Sequence, residues 1–145
     1  MTQAQSTALK IAAGLWVIWG LVHALAGLLT IAQDTGAAAS GIADAVDPAL
    51  FALDYPAAMG GLINQHGWNL FWGGAVTVVG AAFIWRGSLT AIWVTAMVGG
   101  LLDIGYFVFM DLPGYVNFMP GTVMTLVSST TILLSGWVWV RQRKP

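Results

Sequence analysis

The chain has 145 residues, of which 58% are hydrophobic and 8% charged, and its mean hydropathy is +0.79. These values exclude an ordinary soluble domain and are typical of a polytopic membrane protein, with no room for a second, soluble domain. Because the chain contains no cysteine, disulfides, thiolate nucleophiles and cysteine-ligated metal centres are also excluded. No run of basic residues suggests nucleic acid as a partner.

Four apolar stretches can each supply the roughly 20 residues that a 30 Å hydrocarbon core requires. They predict an all-α membrane protein, a single up-down-up-down four-helix transmembrane bundle that comprises residues 1–145. The predicted spans are residues 11–31, 62–85, 89–110 and 120–140. The first stretch is interpreted as a retained membrane helix, since its apolar core is longer than the about 7 to 15 residues of a secretory signal.

The connection between the first two spans, residues 32–61, is long for so small a protein. Connections of this length usually carry function or short elements of their own. Asp47 followed by Pro48 is typical of a helix start and predicts a short helix on the outer surface. Tyr55 and Pro56 should then redirect the chain into the second span. The outer helix either covers the mouth of the bundle as a lid or lies on the lipid interface.

The distribution of charged residues predicts the orientation of the bundle. Four spans place both termini on one side, and that side receives every basic residue, namely Lys10, Arg86, Arg141, Arg143 and Lys144. The opposite side receives five of the six acidic residues, namely Asp34, Asp44, Asp47, Asp54 and Asp111. Since basic residues accumulate on the cytoplasmic side, both termini are predicted to be cytoplasmic, and the membrane to be the bacterial inner membrane.

The sixth acidic residue, Asp103, lies within the third span and is the only charged residue there. A charge at hydrocarbon depth costs roughly 2.5 to 3.5 kcal/mol on insertion scales, so such a residue normally faces protein or water and has a role. His23, in the first span, lies at a similar depth, roughly 5 Å to the outer side of its helix midpoint. The two side chains are therefore predicted to meet, either to hold the bundle together or to form a functional site.

Helical periodicity places small and polar residues on one face of each span. These faces should meet in the interior, because small residues let helices approach closely in lipid and polar residues hydrogen-bond between them. The ligand-binding residues predicted in this interior are His66, Asn69, Tyr106 and Thr125, together with the aromatic rings of Trp19 and Trp72. Plain core packing is the alternative for the two tryptophans. The glycine-rich faces also offer a contact for a homodimer.

Asp103 beside His23 is an arrangement in which a carboxylate fixes the imidazole tautomer and raises its basicity. With His66 added, the three side chains have the two-histidine, one-carboxylate composition of a metal site for zinc, copper or iron, which is kept as an alternative to no metal. Haem held by the two histidines is disfavoured, because they lie roughly 7 Å apart along the membrane normal. The sequence therefore leaves the cofactor unknown.

Two classes of function remain. The first is a small membrane protein that binds an amphipathic small molecule or lipid head group in an outward-facing polar pocket, or that serves as an accessory subunit of a larger membrane complex. The second is a membrane-embedded isomerase or hydrolase of a lipid-soluble substrate, with His23 and Asp103 as catalytic residues that transfer and balance a proton. A proton-coupled transporter that uses Asp103 is a third reading.

Overall fold

A computed structural model describes residues 1–43 and 46–142 of the chain. The α-helices of this described part are α1 (Gln3–Ala32), α2 (Thr35–Ala43), α3 (Ala57–Trp85), α4 (Leu89–Tyr106) and α5 (Val123–Gln142). A 3-10 helix, Pro48–Phe51, precedes α3, and π-helical turns extend α4 over Phe107–Asp111 and lead into α5 over Phe118–Thr122. The predicted all-α four-helix bundle is confirmed, because α1, α3, α4 and α5 with their extensions are each long and apolar enough to cross a membrane.

The four spans form a ring in which α1 and α4 each pack between α3 and α5. The two chain ends lie side by side, since Gln142 Nε2 donates a hydrogen bond to Gln5 Oε1 at 2.8 Å. The ammonium group of Lys10 lies 5.6 Å from the centre of the Trp85 ring, next to the turn that joins α3 to α4. We call this half of the bundle the terminal half, and the opposite half, which holds the connection from α1 to α3, the loop half.

The charged residues separate along the bundle as the orientation argument requires. Lys10, Arg86 and Arg141 lie in the terminal half, and Asp34, Asp47, Asp54 and Asp111 in the loop half. Asp44, Arg143 and Lys144, which belonged to the same argument, lie outside the described residues.

Glycines bring α1 and α3 into backbone contact. A Cβ added to Gly20 would lie 2.6 Å from the carbonyl oxygen of Gly74, and one added to Gly67 would lie 2.9 Å from that of Gly27. Real Cβ atoms essentially never approach other atoms this closely, so a larger residue would force the helices apart. These glycines are thus used for contact between helices within one chain.

The terminal half contains the hydrophobic core. Its most deeply buried side chains are Leu9, Trp16, Ile84 and Val138. The Trp16 ring fills the space beside Gly99, where a Cβ would collide with it. Buried hydroxyl groups bond to carbonyl oxygens three or four residues earlier in their own helices, at Thr77, Thr131 and Ser135. Large side chains against glycines and back-bonded hydroxyls give this half close packing.

The first span is longer than predicted, because α1 begins at Gln3 and not at residue 11. Thr2 and Gln5 form a capping box, in which the Thr2 amide donates to Gln5 Oε1 at 2.8 Å and the Gln5 amide donates to Thr2 Oγ1 at 3.3 Å. Because this reciprocal cap satisfies the first amides, the helix extends into a polar segment that carries no hydrophobic signal.

The connection from α1 to α3 forms a lid over the loop end of the bundle. The predicted helix start is present, with Asp47 Oδ1 accepting from the Ala49 amide at 3.1 Å, but the helix is a single 3-10 turn. The Val46 amide donates to the carbonyl oxygen of Tyr115 at 3.2 Å, and Phe51 packs against Val116. The lid, comprising α2 and the 3-10 helix, is therefore tied to the connection between α4 and α5.

Candidate functional site

A cavity of about 690 Å³ occupies the loop half of the bundle, beneath the lid. Apolar side chains from all four spans and the lid form most of its wall, including Val22, Ile42, Leu70, Leu101, Leu102 and Met124. Its polar side chains are those of His23, His66, Asp103 and Tyr106. A volume of this size, with a mainly apolar wall and a few polar groups, is typical of small-molecule sites, which range from about 300 to 1,000 Å³.

Asp103 lies at the base of the cavity with only 5% of its surface exposed. Its Oδ2 accepts a hydrogen bond from the indole Nε1 of Trp19 at 2.8 Å, and its Oδ1 lies 3.6 Å from His23 Nε2. The expected contact between the carboxylate of α4 and the imidazole of α1 is therefore present. Trp19 was expected in the pocket wall; it is instead fully buried behind the pair, because its N–H needs a buried acceptor and finds Asp103.

The position of His23 determines where one of its protons resides. Its Nδ1 lies 2.9 Å from the backbone carbonyl oxygen of Trp19, and because a carbonyl oxygen can only accept, Nδ1 carries a hydrogen and donates it. The imidazole also stacks on the Trp19 indole, with ring centres 3.6 Å apart and planes at 18°. One indole therefore orients both members of the pair.

The geometry also shows which nitrogen faces the carboxylate. Because Nδ1 is used by the Trp19 carbonyl oxygen, Nε2 is the ring nitrogen that lies toward Asp103. The 3.6 Å between Nε2 and Oδ1 is longer than a direct hydrogen bond.

Tyr106 closes the cavity between α4 and α5. Its hydroxyl group lies against the backbone of Gly121, at the place that any Cβ on Gly121 would occupy. The same side chain packs against Val116 beneath the lid, together with Phe51 and Met110. The glycine thus allows the tyrosine to fill the α4–α5 seam, and the tyrosine supports the lid.

His66 lines the cavity but does not join the pair at its base. Because Gly67 packs against Gly27, His66 lies roughly 7.5 Å beyond His23 toward the loop end. Among residues 1–43 and 46–142, no three His, Asp or Glu side chains are close enough together to hold a metal ion. The alternative metal site of His23, His66 and Asp103 is therefore not assembled in the described part of the chain.

Asn69, Trp72 and Thr125 do not line the cavity, although the sequence placed them in its wall. Trp72 Nε1 donates to Asn69 Oδ1 at 3.1 Å, and Trp72 is 40% exposed on the outer surface of α3. The cause is the rotation of α3, which turns Gly67 and Gly74 toward α1. Thr125 Oγ1 is buried and has no hydrogen-bond partner among the described residues.

Sequence reasoning missed the apolar wall and the helix α2 in the lid. Leu101 and Leu102 belong to an unbroken apolar span, in which every position satisfies the same hydrophobic pattern. Gly105 belongs to the same apolar span and was missed for the same reason. A Cβ added there would meet no atom within 4 Å.

Chemically, the site offers a carboxyl group and an imidazole, each with hydrogen-bonding atoms, at the base of a mainly apolar chamber. Such a site can hold the polar group of an otherwise apolar molecule and can exchange a proton with it. A scan against protein-family models and searches of curated proteins and solved structures found no match to this chain.

Proposed function

We propose that this integral membrane protein binds an amphipathic small molecule in the cavity of its loop half. The polar group of the ligand lies against His23 and Asp103, and its apolar part lies along Leu102 and Met124. One observation carries the proposal: a chamber of about 690 Å³ whose base is a buried carboxylate paired with an imidazole.

The exposure of the pair toward the cavity supports a functional role over a purely structural one. The His23 side chain retains 14% of its surface, and both members of the pair line the cavity. If the pair served only to join α1 to α4, close packing on every side would stabilise it best, as it does for the side chains of the terminal half. Ionisable residues inside a membrane are expensive and generally mark functional sites.

The accessory-subunit reading requires no cavity, and the described structure gives it no specific support. A larger complex or a homodimer would use the exposed apolar faces of the spans. The charge distribution supports an orientation in which the basic terminal half faces the cytoplasm, so that the cavity lies in the outer leaflet of a bacterial inner membrane.

A membrane-embedded isomerase or hydrolase is the second candidate. It is favoured by the His23 geometry, because the bond from Nδ1 to the Trp19 carbonyl oxygen orients the ring and leaves Nε2 facing Asp103 beside the cavity. A fixed imidazole of this kind can act as a general acid or base on a substrate whose polar group reaches it. Asp103 would then balance the charge that develops on the ring.

The binding proposal is tested by mass spectrometry of the small molecules that leave the purified protein on denaturation. The wild-type protein and the exposed control Thr90→Ala should release one dominant amphipathic species, and Asp103→Asn and His23→Ala should release at least tenfold less. Equal amounts from all four proteins would refute the proposal. If His23→Gln releases a species that differs from the wild-type one in mass or chromatographic retention, an enzyme is favoured; an identical species counts against it.

A further inference from the structure

We propose that the ligand of this cavity is an uncharged lipid with a hydroxyl group, which reaches His23 and Asp103 sideways from the bilayer, between α3 and α4. The inference rests on the proposed binding function and specifies its ligand class and its route.

The charge of the cavity excludes a charged head group. The carboxyl group at its base faces the imidazole of His23, and the only other ionisable side chains that line it among the described residues are His66 and Tyr106. No lysine or arginine in the described part of the chain lies in the wall to meet an anion, and Asp103 already contacts the imidazole and the Trp19 N–H. A charged group would therefore be desolvated without a counter-charge, which is strongly unfavourable.

The spacing within the pair suits a hydroxyl group. The 3.6 Å between Nε2 and Oδ1 exceeds the about 2.7 to 2.9 Å of a direct charge-assisted hydrogen bond. An oxygen on the cavity side, about 2.8 Å from each atom, would bridge them. A hydroxyl group can accept a hydrogen bond from one of these two atoms while it donates one to the other. Ether and ketone oxygens only accept, and an ammonium group only donates.

The α3–α4 side of the cavity is open to the bilayer. Leu62 of α3 and Leu101 of α4 line the cavity, yet they are 59% and 63% exposed, as is Phe109 at 72%. The same side chains thus border both the cavity and the lipid. Gly105 lies on this side, and a Cβ there would meet nothing, whereas the α4–α5 seam is filled by Tyr106 against Gly121.

An apolar chain can therefore extend from the pair through the gap beside Gly105 into the hydrocarbon core. This route needs no opening of the lid. It also fits the apolar wall of the cavity, because an apolar chain that passes from the bilayer along this wall stays in apolar surroundings.

The test uses the full chain in phosphatidylcholine nanodiscs and three photoreactive probes with the same twelve-carbon tail: dodecanol, dodecanoate and dodecylamine, each with a diazirine near its head group. After illumination, peptide mapping should find dodecanol attached to the cavity segments of α4 and α5 at least tenfold more than either charged probe. Gly105→Leu should reduce this labelling at least tenfold. The matched control is Gly14→Leu, where an added Cβ likewise meets nothing but which lies away from the cavity, and it should label as the wild type does.

The possible failures are distinguishable. If none of the probes labels the cavity segments, the proposed binding function fails. If a charged probe labels them as well as dodecanol does, the ligand class is wrong although the site stands. If Gly105→Leu labels as strongly as Gly14→Leu, the lateral route is wrong.

Discussion

The two halves of the bundle are built from the same four helices and are packed in opposite ways. In the terminal half, Trp16 fills the space beside Gly99, and Leu9, Ile84 and Val138 are buried in the same core. In the loop half, Gly105 faces open space and about 690 Å³ is unfilled by protein. The comparison shows that the packing of the terminal half, together with glycine contacts between α1 and α3 that continue into the loop half at Gly27 and Gly67, can hold the helices in register around the cavity.

The recess in the loop half is not a sealed void. Side chains that line it, such as Leu62 and Leu101, are also exposed on the outer face of the bundle. An apolar recess that opens to the bilayer can be in contact with lipid hydrocarbon, so it does not carry the packing cost of a closed cavity.

The largest expected effect comes from breaking the packed half. Trp16→Ala should lower the free energy of unfolding by about 3 to 5 kcal/mol, because a fully buried indole is replaced by a cavity. Trp72→Ala removes the same side chain from an exposed position and should cost less than about 1 kcal/mol. Unfolding by titration with a denaturing detergent measures both values. Equal losses would mean that the two tryptophans are similarly buried.

A smaller loss is expected when the backbone contact between α1 and α3 is disturbed. In Gly74→Val the added side chain would collide with the Gly20 carbonyl oxygen and would lie 2.6 Å from the Ala24 nitrogen. Overpacking of this kind costs about 1 to 3 kcal/mol. Because the obstacle here is backbone, the expected loss in the free energy of unfolding is about 3 kcal/mol. Gly14→Val, where a Cβ meets nothing, is the control and should change the same unfolding curve little. Similar behaviour of the two variants would contradict the close approach of the helices.

The hydrogen bond behind the pair is expected to matter less to stability. Asp103→Leu deprives the buried Trp19 N–H of its acceptor and should cost about 1 to 3 kcal/mol. Asp103→Asn keeps an acceptor oxygen at that place and should cost less than about 1 kcal/mol in the same measurement. If the asparagine variant is the less stable of the two, Asp103 has a different bonding role from the one described.

The smallest effect is expected from locking the lid. The chain has no cysteine of its own, so Phe51→Cys with Val116→Cys introduces one pair at a place where these side chains pack together. The oxidised and reduced forms should take up the photoreactive dodecanol within about twofold of each other, because access runs between α3 and α4. A tenfold loss of labelling on oxidation would mean that the probe enters beneath the lid. The proposed entry between α3 and α4 would then be wrong.

The features that the sequence predicted are those that apolar length and helical period determine. The four spans required only length, and the contact between His23 and Asp103 required only that two polar positions share a depth and face inward. The rotation of α3 could not be predicted, because small or polar residues occupy neighbouring faces of that helix. The actual face was selected by the partner glycines on α1, which excluded Asn69 and Trp72 from the cavity.

The cavity wall and the lid were unpredictable for another reason. In a uniformly apolar span, positions that face lipid, core or cavity carry the same residue types, so Leu101 and Leu102 have no distinguishing signal. The helix α2, with the sequence TGAAASGIA, lacks an apolar stripe, and its start depends on Asp34, whose Oδ1 accepts from the Ala37 amide at 3.0 Å.

The central claim, that one half is packed and the other accessible, is tested most directly by a pair of single cysteines on α1. Ala26 lines the cavity, and Ala12 is fully buried in the terminal half. In otherwise cysteine-free protein, Ala26→Cys should react with N-ethylmaleimide at least tenfold faster than Ala12→Cys, since reaction requires an accessible thiolate. Equal rates, or faster reaction at Ala12→Cys, would contradict the account.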